Sequence, residues 1–382
     1  MGHGYRLALE RIERAINDNN SWLNLNDLGL ESLPPEVGDL DFVTHLYLNT
    51  NKLKEFPKVI LQMEGLEELN ICQNQIACIP EGIGRLQKLY RFYIRENCLT
   101  ALPHEIGDLA ELRALDVSYN QLTQLPDSMR LLEALRTLEV AQNALTTLPT
   151  SIGNLTKLTN LWAGRNQLRE LPDELTQLTE LEYLGLADNE LTHLPEEIGN
   201  LKALEQLRLG KNQLEELPHS IWGLEGLRVL NLNQNRLEEL PEDIGRLAEL
   251  RWLLLNDNRL RHLPDALYSL LHLERLEVGK NQLRTLSQDI GRLNKLLTLA
   301  LPYNMLEALP DSLGQLTYLT QLNLRNNRLK TLPPALKNLS KLRSNEGRWD
   351  YTKGLVLHGN ELGISEEVLN QNPQDIFKTI FG

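Results

Sequence analysis

The chain has 382 residues, a formal net charge of −13, 24% charged and 41% hydrophobic residues, and 5% aromatics. That apolar share excludes a disordered chain, and no apolar run approaches the roughly 18 residues of a membrane-spanning helix. The acidity comes without the basic stripe on which phosphate contacts depend, so no nucleic-acid partner is expected; it favours a partner with basic patches.

In chain order, the first segment is Tyr5 to Asp18. Leu9, Ile12 and Ile16 fall on one helical face, with Glu10, Arg11, Glu13 and Arg14 on the other. Residues 1–19 are therefore expected to be a capping helix. From residue 20 to 342 one spacing dominates. Asn51, Asn74 and Asn97 open a series that continues in steps of 23 residues to Asn327. Proline keeps the same period from Pro34 to Pro333, with Ser287 in the one missed place. A fixed period of this length means stacked units that bury their apolar faces against their neighbours.

One unit, Leu181 to Gly199, shows the logic. Leu184 and Leu186 alternate with Tyr183, Gly185 and Ala187, and period two predicts a strand with the leucines inward. Asn189 stands at the turn, where its amide can both donate to and accept from backbone groups left unpaired by the bend. Leu191 and Leu194 continue the core. Pro195 fixes φ where the chain crosses to the return segment, a short helical turn that buries Ile198 and Leu201. The first unit, Trp22 to Pro34, has Leu28 where the asparagine would stand, which suits an end unit with no preceding ladder to join.

After Leu342 the register breaks, and the next ladder asparagine, Asn360, comes ten residues late. Residues 343–382 are expected to hold a final repeat with a ten-residue insertion at about 343–352, which includes Trp349 and Tyr351, and then a capping helix. Asn372, Pro373 and Asp375 form a helix-start signature. Ile376, Phe377, Ile380 and Phe381 give that helix an apolar stripe, either to cover the last repeat or to dock a partner.

The pattern LxxLxLxxNxL followed by LPxxIGxL resembles the leucine-rich repeats over about Asn20 to Leu362. It is similar to the intracellular repeats of Ras-suppressor and Shoc-type scaffolds and of bacterial Roco proteins. The tail, HGNELGISEEVLNQNPQDIFKTIF, resembles the end of the Roco repeat region, with Glu361 and Ser365 where prolines are common there. The sequence contains no G-x-x-x-x-G-K-[ST] phosphate loop, so GTPase activity does not carry over. The resemblance implies an α/β solenoid of about fifteen units. Its form is a horseshoe with one curved parallel β-sheet on the concave face, short helices or turns on the convex face, and helical caps at both ends.

No catalytic constellation stands out, and no cofactor or metal is expected. Cys72, Cys78 and Cys98 occupy repeat positions and are odd in number, without the disulfide-rich caps of extracellular relatives. A reducing compartment, the bacterial cytoplasm, is the expectation, with export as an effector the alternative. The histidines lack metal-ligand spacing, and acid pairs such as Glu196-Glu197 and Glu215-Glu216 recur once per unit as solvated residues.

Function is therefore expected on the sheet positions that the repeat leaves free. Trp162 and Tyr183 lie on adjacent strands beside Gly164 and Gly185, small neighbours expected to leave both rings exposed. Val229, Trp252 and Leu254 form a second apolar patch, with Arg165, Arg208 and Lys211 around and between the two. A third group, Tyr47, Arg91, Tyr93 and Arg95, is basic and aromatic. Aromatics ringed by arginine compose interface hot spots. The competing reading is that these side chains lie flat on one another along the sheet. The expected function is a non-enzymatic scaffold that holds a protein or peptide ligand on this face in signalling or regulation. The alternatives are an effector using the same surface on a host protein, or the excised repeat domain of a Roco-type GTPase. The sequence leaves the oligomeric state open.

Overall fold

The computed structural model describes residues 2–345 and 354–382. They fall into two compact units, Met1–Ala203 and Leu204–Gly382. Most of the predicted insertion, with Trp349 and Tyr351, lies outside the described residues.

The first unit opens with helix α1 (His3–Asp18). Eight three-residue strands follow: β1 (Trp22–Asn24), β2 (His45–Tyr47), β3 (Glu68–Asn70), β4 (Arg91–Tyr93), β5 (Ala114–Asp116), β6 (Thr137–Glu139), β7 (Asn160–Trp162) and β8 (Tyr183–Gly185). Each pairs in parallel with the next at a 23-residue register, so that Leu46 faces Leu69 and Leu138 faces Leu161. The second unit holds β9 (Gln206–Arg208), β10 (Val229–Asn231), β11 (Trp252–Leu254), β12 (Arg275–Glu277), β13 (Thr298–Ala300), β14 (Gln321–Asn323) and β15 (Leu355–Val356), paired in the same way except that β15 joins β14 late, with Leu355 opposite Leu322. Two helices, α2 (Glu366–Leu369) and α3 (Pro373–Phe381), close it.

The middle residue of each three-residue strand is buried, as Leu46, Phe92, Leu161 and Leu253 show. Each such side chain contributes on the order of 1.5–3 kcal/mol by leaving water. The flanking strand residues face the other side of the sheet. Behind the strands the chain returns through a short 3₁₀ helix that begins just after the periodic proline, as at His104–Asp108 after Pro103. Where Ser287 replaces proline, its hydroxyl accepts from the Asp289 N–H at 3.2 Å, so a side-chain cap does the work of the missing ring.

The asparagine ladder has the expected chemistry. Asn97 accepts from the Ile76 N–H at 2.9 Å and donates to the carbonyls of Ile71, Ile94 and Arg95 at 3.1–3.3 Å. Asn258 makes the same set in the second unit, and Asn189 in the first accepts from the Leu168 N–H and donates to the Ala163 and Leu186 carbonyls. The residue before each ladder asparagine takes a left-handed backbone, from Thr50 (φ 57°) to Asn326 (φ 52°). Asn360 fills the last rung despite arriving late: it accepts from the Leu329 N–H and donates to the Leu324 and Leu357 carbonyls.

The caps depart from expectation in detail. Ala8, Ile12 and Ala15 are the buried residues of α1, while Ile16 is 51% exposed. The helix packs through its small residues because it approaches β1 and the following turn closely: a Cβ on Gly4 would sit 1.7 Å from the Leu28 carbonyl oxygen. Arg11 also turns back from solvent to donate to the Asn24 carbonyl at 3.0 Å. At the other end α3 begins at Pro373 as predicted, but the Asn372 side chain does not cap it. Its Oδ1 instead accepts from the Ser344 hydroxyl and the Asn345 N–H. Asn345, almost fully buried, spans the insertion by bonding both the N–H and the carbonyl of Leu355, at 3.1 and 2.9 Å.

Candidate interaction surface

Strand positions that do not enter the core present side chains on the sheet face, and the predicted site residues all lie there. In the first unit Trp162 and Tyr183 come together, but not as two exposed rings. Their centroids are 3.8 Å apart at 24°, Trp162 is 37% exposed and Tyr183 only 6%. Gly185 is the cause. It shares a strand and a face with Tyr183 two residues earlier, and a Cβ there would be 2.8 Å from Tyr183 Cε1. The glycine leaves a hole, the tyrosine ring folds down into it, and Trp162, in register with Gly185, stacks on top. Expected exposure thus fails for Tyr183 and holds for Trp162. Arg165 lies beside them, donating to Gln142 at 3.1 Å and lying 4.0 Å from Asp188.

The Tyr47, Arg91, Tyr93 and Arg95 group is also assembled, but it is not basic. Arg91 pairs with Glu68, its register partner, at 3.2 Å. Arg95 bonds Glu96 at 3.1 Å and lies 4.2 Å over the Tyr119 ring. Burial, and then the Glu68 carboxylate that it hydrogen-bonds, push the Tyr47 phenol up. Tyr93 is pushed up by burial and by Glu68, Glu139 and Asp116, against the pull of Arg91. Asp116 and Glu139 face each other in register on β5 and β6. Burial, and after it Asp116, hold the Glu139 carboxyl above its usual range. Glu68 and Glu96 thus neutralise both cations of the group.

In the second unit Trp252 is 40% exposed, flanked in register by half-buried Val229 and by Arg275, whose guanidinium lies 5.9 Å from its ring. Leu254 is half-buried beside Glu277. Arg208 is half-buried and donates to Gln206 at 3.2 Å.

One feature of this unit escaped the sequence reading. A cleft of about 380 Å³ opens on the sheet face around β13, reaching Asn256 on one side and Asn323 on the other. Its signal was present in the sequence as Ala300, Pro302 and Tyr303, which depart together from the repeat's usual outward residues.

Among the described residues no group of His, Cys, Asp or Glu could hold a metal ion, and no helix is long and apolar enough to cross a membrane. Cys72, Cys78 and Cys98 are free thiols. Burial pushes the Cys72 thiol up to about 12, which keeps it protonated and weakly nucleophilic.

A family model described as a leucine-rich repeat region matches residues 90–182 and 172–242, and a second leucine-rich-repeat model matches 318–339. The chain is similar over 97% of its length to a leucine-rich-repeat protein of Leptospira interrogans, with 32% identity, 96% of that chain covered and a TM-score of 0.82. It is similar to an internalin of Listeria monocytogenes at 25% identity, over 88% of this chain and 93% of that one, with a TM-score of 0.74. A plant peptide hormone receptor solved in complex with RGF2 shares 29% identity over 89% of this chain and 58% of its own, with a TM-score of 0.73. None of the curated proteins matches the chain.

Proposed function

The chain belongs to the leucine-rich-repeat proteins, and on that premise we propose that it is a non-enzymatic scaffold that holds a protein or peptide on its sheet face. The observation that carries this reading is the exposed tryptophans of the sheet face, Trp22 and Trp162 in the first unit and Trp252 in the second, of which Trp162 and Trp252 belong to the predicted site. The inward leucines alone satisfy the fold. The part of such a ring that stays in water gains nothing for folding, whereas tryptophan is among the residues most enriched at interface hot spots. The plant receptor, solved with RGF2 bound, supports the same role for the fold. The free cysteines fit a reducing compartment, and we place the chain in the cytoplasm, acting in signalling or regulation.

The test uses a phage-displayed random dodecapeptide library on the immobilised chain, followed by titration of the enriched peptides against Trp162→Ala and Trp252→Ala. Loss of about 2 kcal/mol or more in at least one variant, roughly thirtyfold in affinity, is the expected result. Unchanged affinity in both would remove the two tryptophans as the contact on which this reading stands.

A further inference from the structure

In the second unit, one repeat departs from its neighbours at three outward positions at once. At the last residue of the strand, β9 to β14 carry Arg208, Asn231, Leu254, Glu277, Ala300 and Asn323, and alanine is the smallest. Two residues later comes Pro302, the one proline in its row of this unit, and then Tyr303, the one aromatic in its row of this unit, a position that Tyr119 fills in the first. The inward residues of the same repeat, Leu299 and Leu301, remain fully buried. The core therefore asks for none of the three changes.

Together they shape the cleft. Ala300 sits in register between the longer Glu277 and Asn323, which leaves a gap the width of a strand. The Pro302 ring lies against Gly279, whose Cβ, if present, would meet its Cγ and Cδ at 2.8 and 2.9 Å. Ala300 and Pro302 thus make an apolar floor, and proline offers no N–H from it. Tyr303 forms a wall. It is 47% exposed and held at φ 56°, the left-handed backbone shared by every residue before a ladder asparagine and one that disfavours a non-glycine residue.

The rim supplies the polarity. Arg275 donates to Glu277 at 2.6 Å, Glu277 accepts in turn from Asn256 at 2.7 Å, and Lys280 lies 3.6 Å from Asp257. Both cations that line the cleft, Arg275 and Lys280, therefore face an acid, and a charged guest would meet a like charge with every opposite one. Gln234, Gln321 and Asn323 complete the lining. Side-chain amides both donate and accept, which complements the alternating N–H and C=O of an extended chain. A volume of about 380 Å³ is at the lower end for ligand sites, enough for a short stretch of chain and too small for a folded domain.

We propose that this cleft seats an uncharged, extended stretch of a peptide ligand, with one aliphatic side chain on the Ala300–Pro302 floor beside Tyr303. The inference rests on the sheet-face reading and narrows it to one place and one ligand chemistry.

The enriched dodecapeptides described above test it, using Ala300→Trp, which fills the gap, and Tyr303→Gly, which removes the wall and relieves its backbone. Circular dichroism and melting temperature check that both variants fold, and Tyr303→Gly should melt no lower than the parent. The enriched peptides should share an aliphatic residue flanked by uncharged ones and should bind each variant at least tenfold more weakly. Three results would overturn the proposal: no enriched sequence, a charged consensus, or undiminished binding to Ala300→Trp and Tyr303→Gly. Undiminished binding to those two with loss on Trp252→Ala removes the cleft and leaves the sheet face standing. Equal binding to all of these and to Trp162→Ala removes both.

Discussion

Replacing Asn97 by alanine is the sharpest test of what holds the repeats together. The substitution leaves the Ile76 N–H without its acceptor at 2.9 Å and the Ile71 and Ile94 carbonyls without their donor at 3.1 and 3.2 Å. Asn97 is buried, so water does not replace it freely. A buried donor left unsatisfied costs about 1–3 kcal/mol, while a carbonyl that keeps other partners costs less. We expect a total loss of about 3 kcal/mol. Because stability in a repeat array is a sum of local terms, the loss should be local first. Urea unfolding followed by circular dichroism gives the total. Amide hydrogen exchange gives the place, with the largest loss of protection at Ile76, 21 residues before the substituted position. A loss below about 1 kcal/mol, or exchange that quickens at Leu99 and leaves Ile76 unchanged, would refute the account of the ladder.

Two further substitutions probe the cap and the buried acids. Gly4→Ala should lift α1 from the Leu28 carbonyl, because the added Cβ would lie 1.7 Å from that oxygen; overpacking of this kind costs about 1–3 kcal/mol. Hydrogen exchange should rise along α1 and stay unchanged at Leu53 and beyond, and an α1 as protected as before would count against close packing of the cap. Glu139→Gln should stabilise the protein at neutral pH. The Glu139 carboxyl is held above its unfolded value of 4.5 by burial and by Asp116. Its ionised form therefore weakens the fold above the folded pKa and has no effect below the unfolded one. The variant's gain in melting temperature should be full at pH 7 and vanish as pH falls below about 4.5. A gain that ignores pH would show that shape, not charge, is responsible.

The sequence revealed the strands, the ladder and both caps because each rests on a residue repeated in register: one leucine fewer is one hole, and one asparagine fewer is an unpaired rung. Even the ten-residue delay before Asn360 was visible, and that asparagine does accept from the Leu329 N–H. The side-chain partners were harder to see. Arg91 and Arg95 lie four residues apart in one repeat, where with Tyr93 they look like a basic patch. Their partners, Glu68 on the preceding strand and Glu96 at the next position in the chain, come within reach only when the strands are side by side and the turn is left-handed. The Asn372 side chain left its helix for Ser344 and Asn345 for a similar reason: the segment beside it came from 27 or 28 residues earlier.

Small residues beside aromatic ones have opposite consequences in the two units, and the backbone decides which. Tyr183 and Gly185 are two apart on one strand, so both point the same way and the ring can lie down over the missing side chain. Burying that ring is favourable in proportion to the apolar area removed from water, so the hole fills from within and the tyrosine is lost as a contact. Ala300 and Tyr303 are three apart, with the second in a left-handed turn after the strand has ended. From there the ring stands beside the gap instead of over it, and the gap stays open. Spacing of two along a strand therefore marks a filled hole, and spacing of three across the turn marks a vacant one. By that rule Trp162 owes its place to Tyr183 beneath it, and an alanine at residue 183 should leave the indole unsupported, lowering it into the space over Gly185 and reducing its exposure, an outcome readable as a blue shift in tryptophan fluorescence.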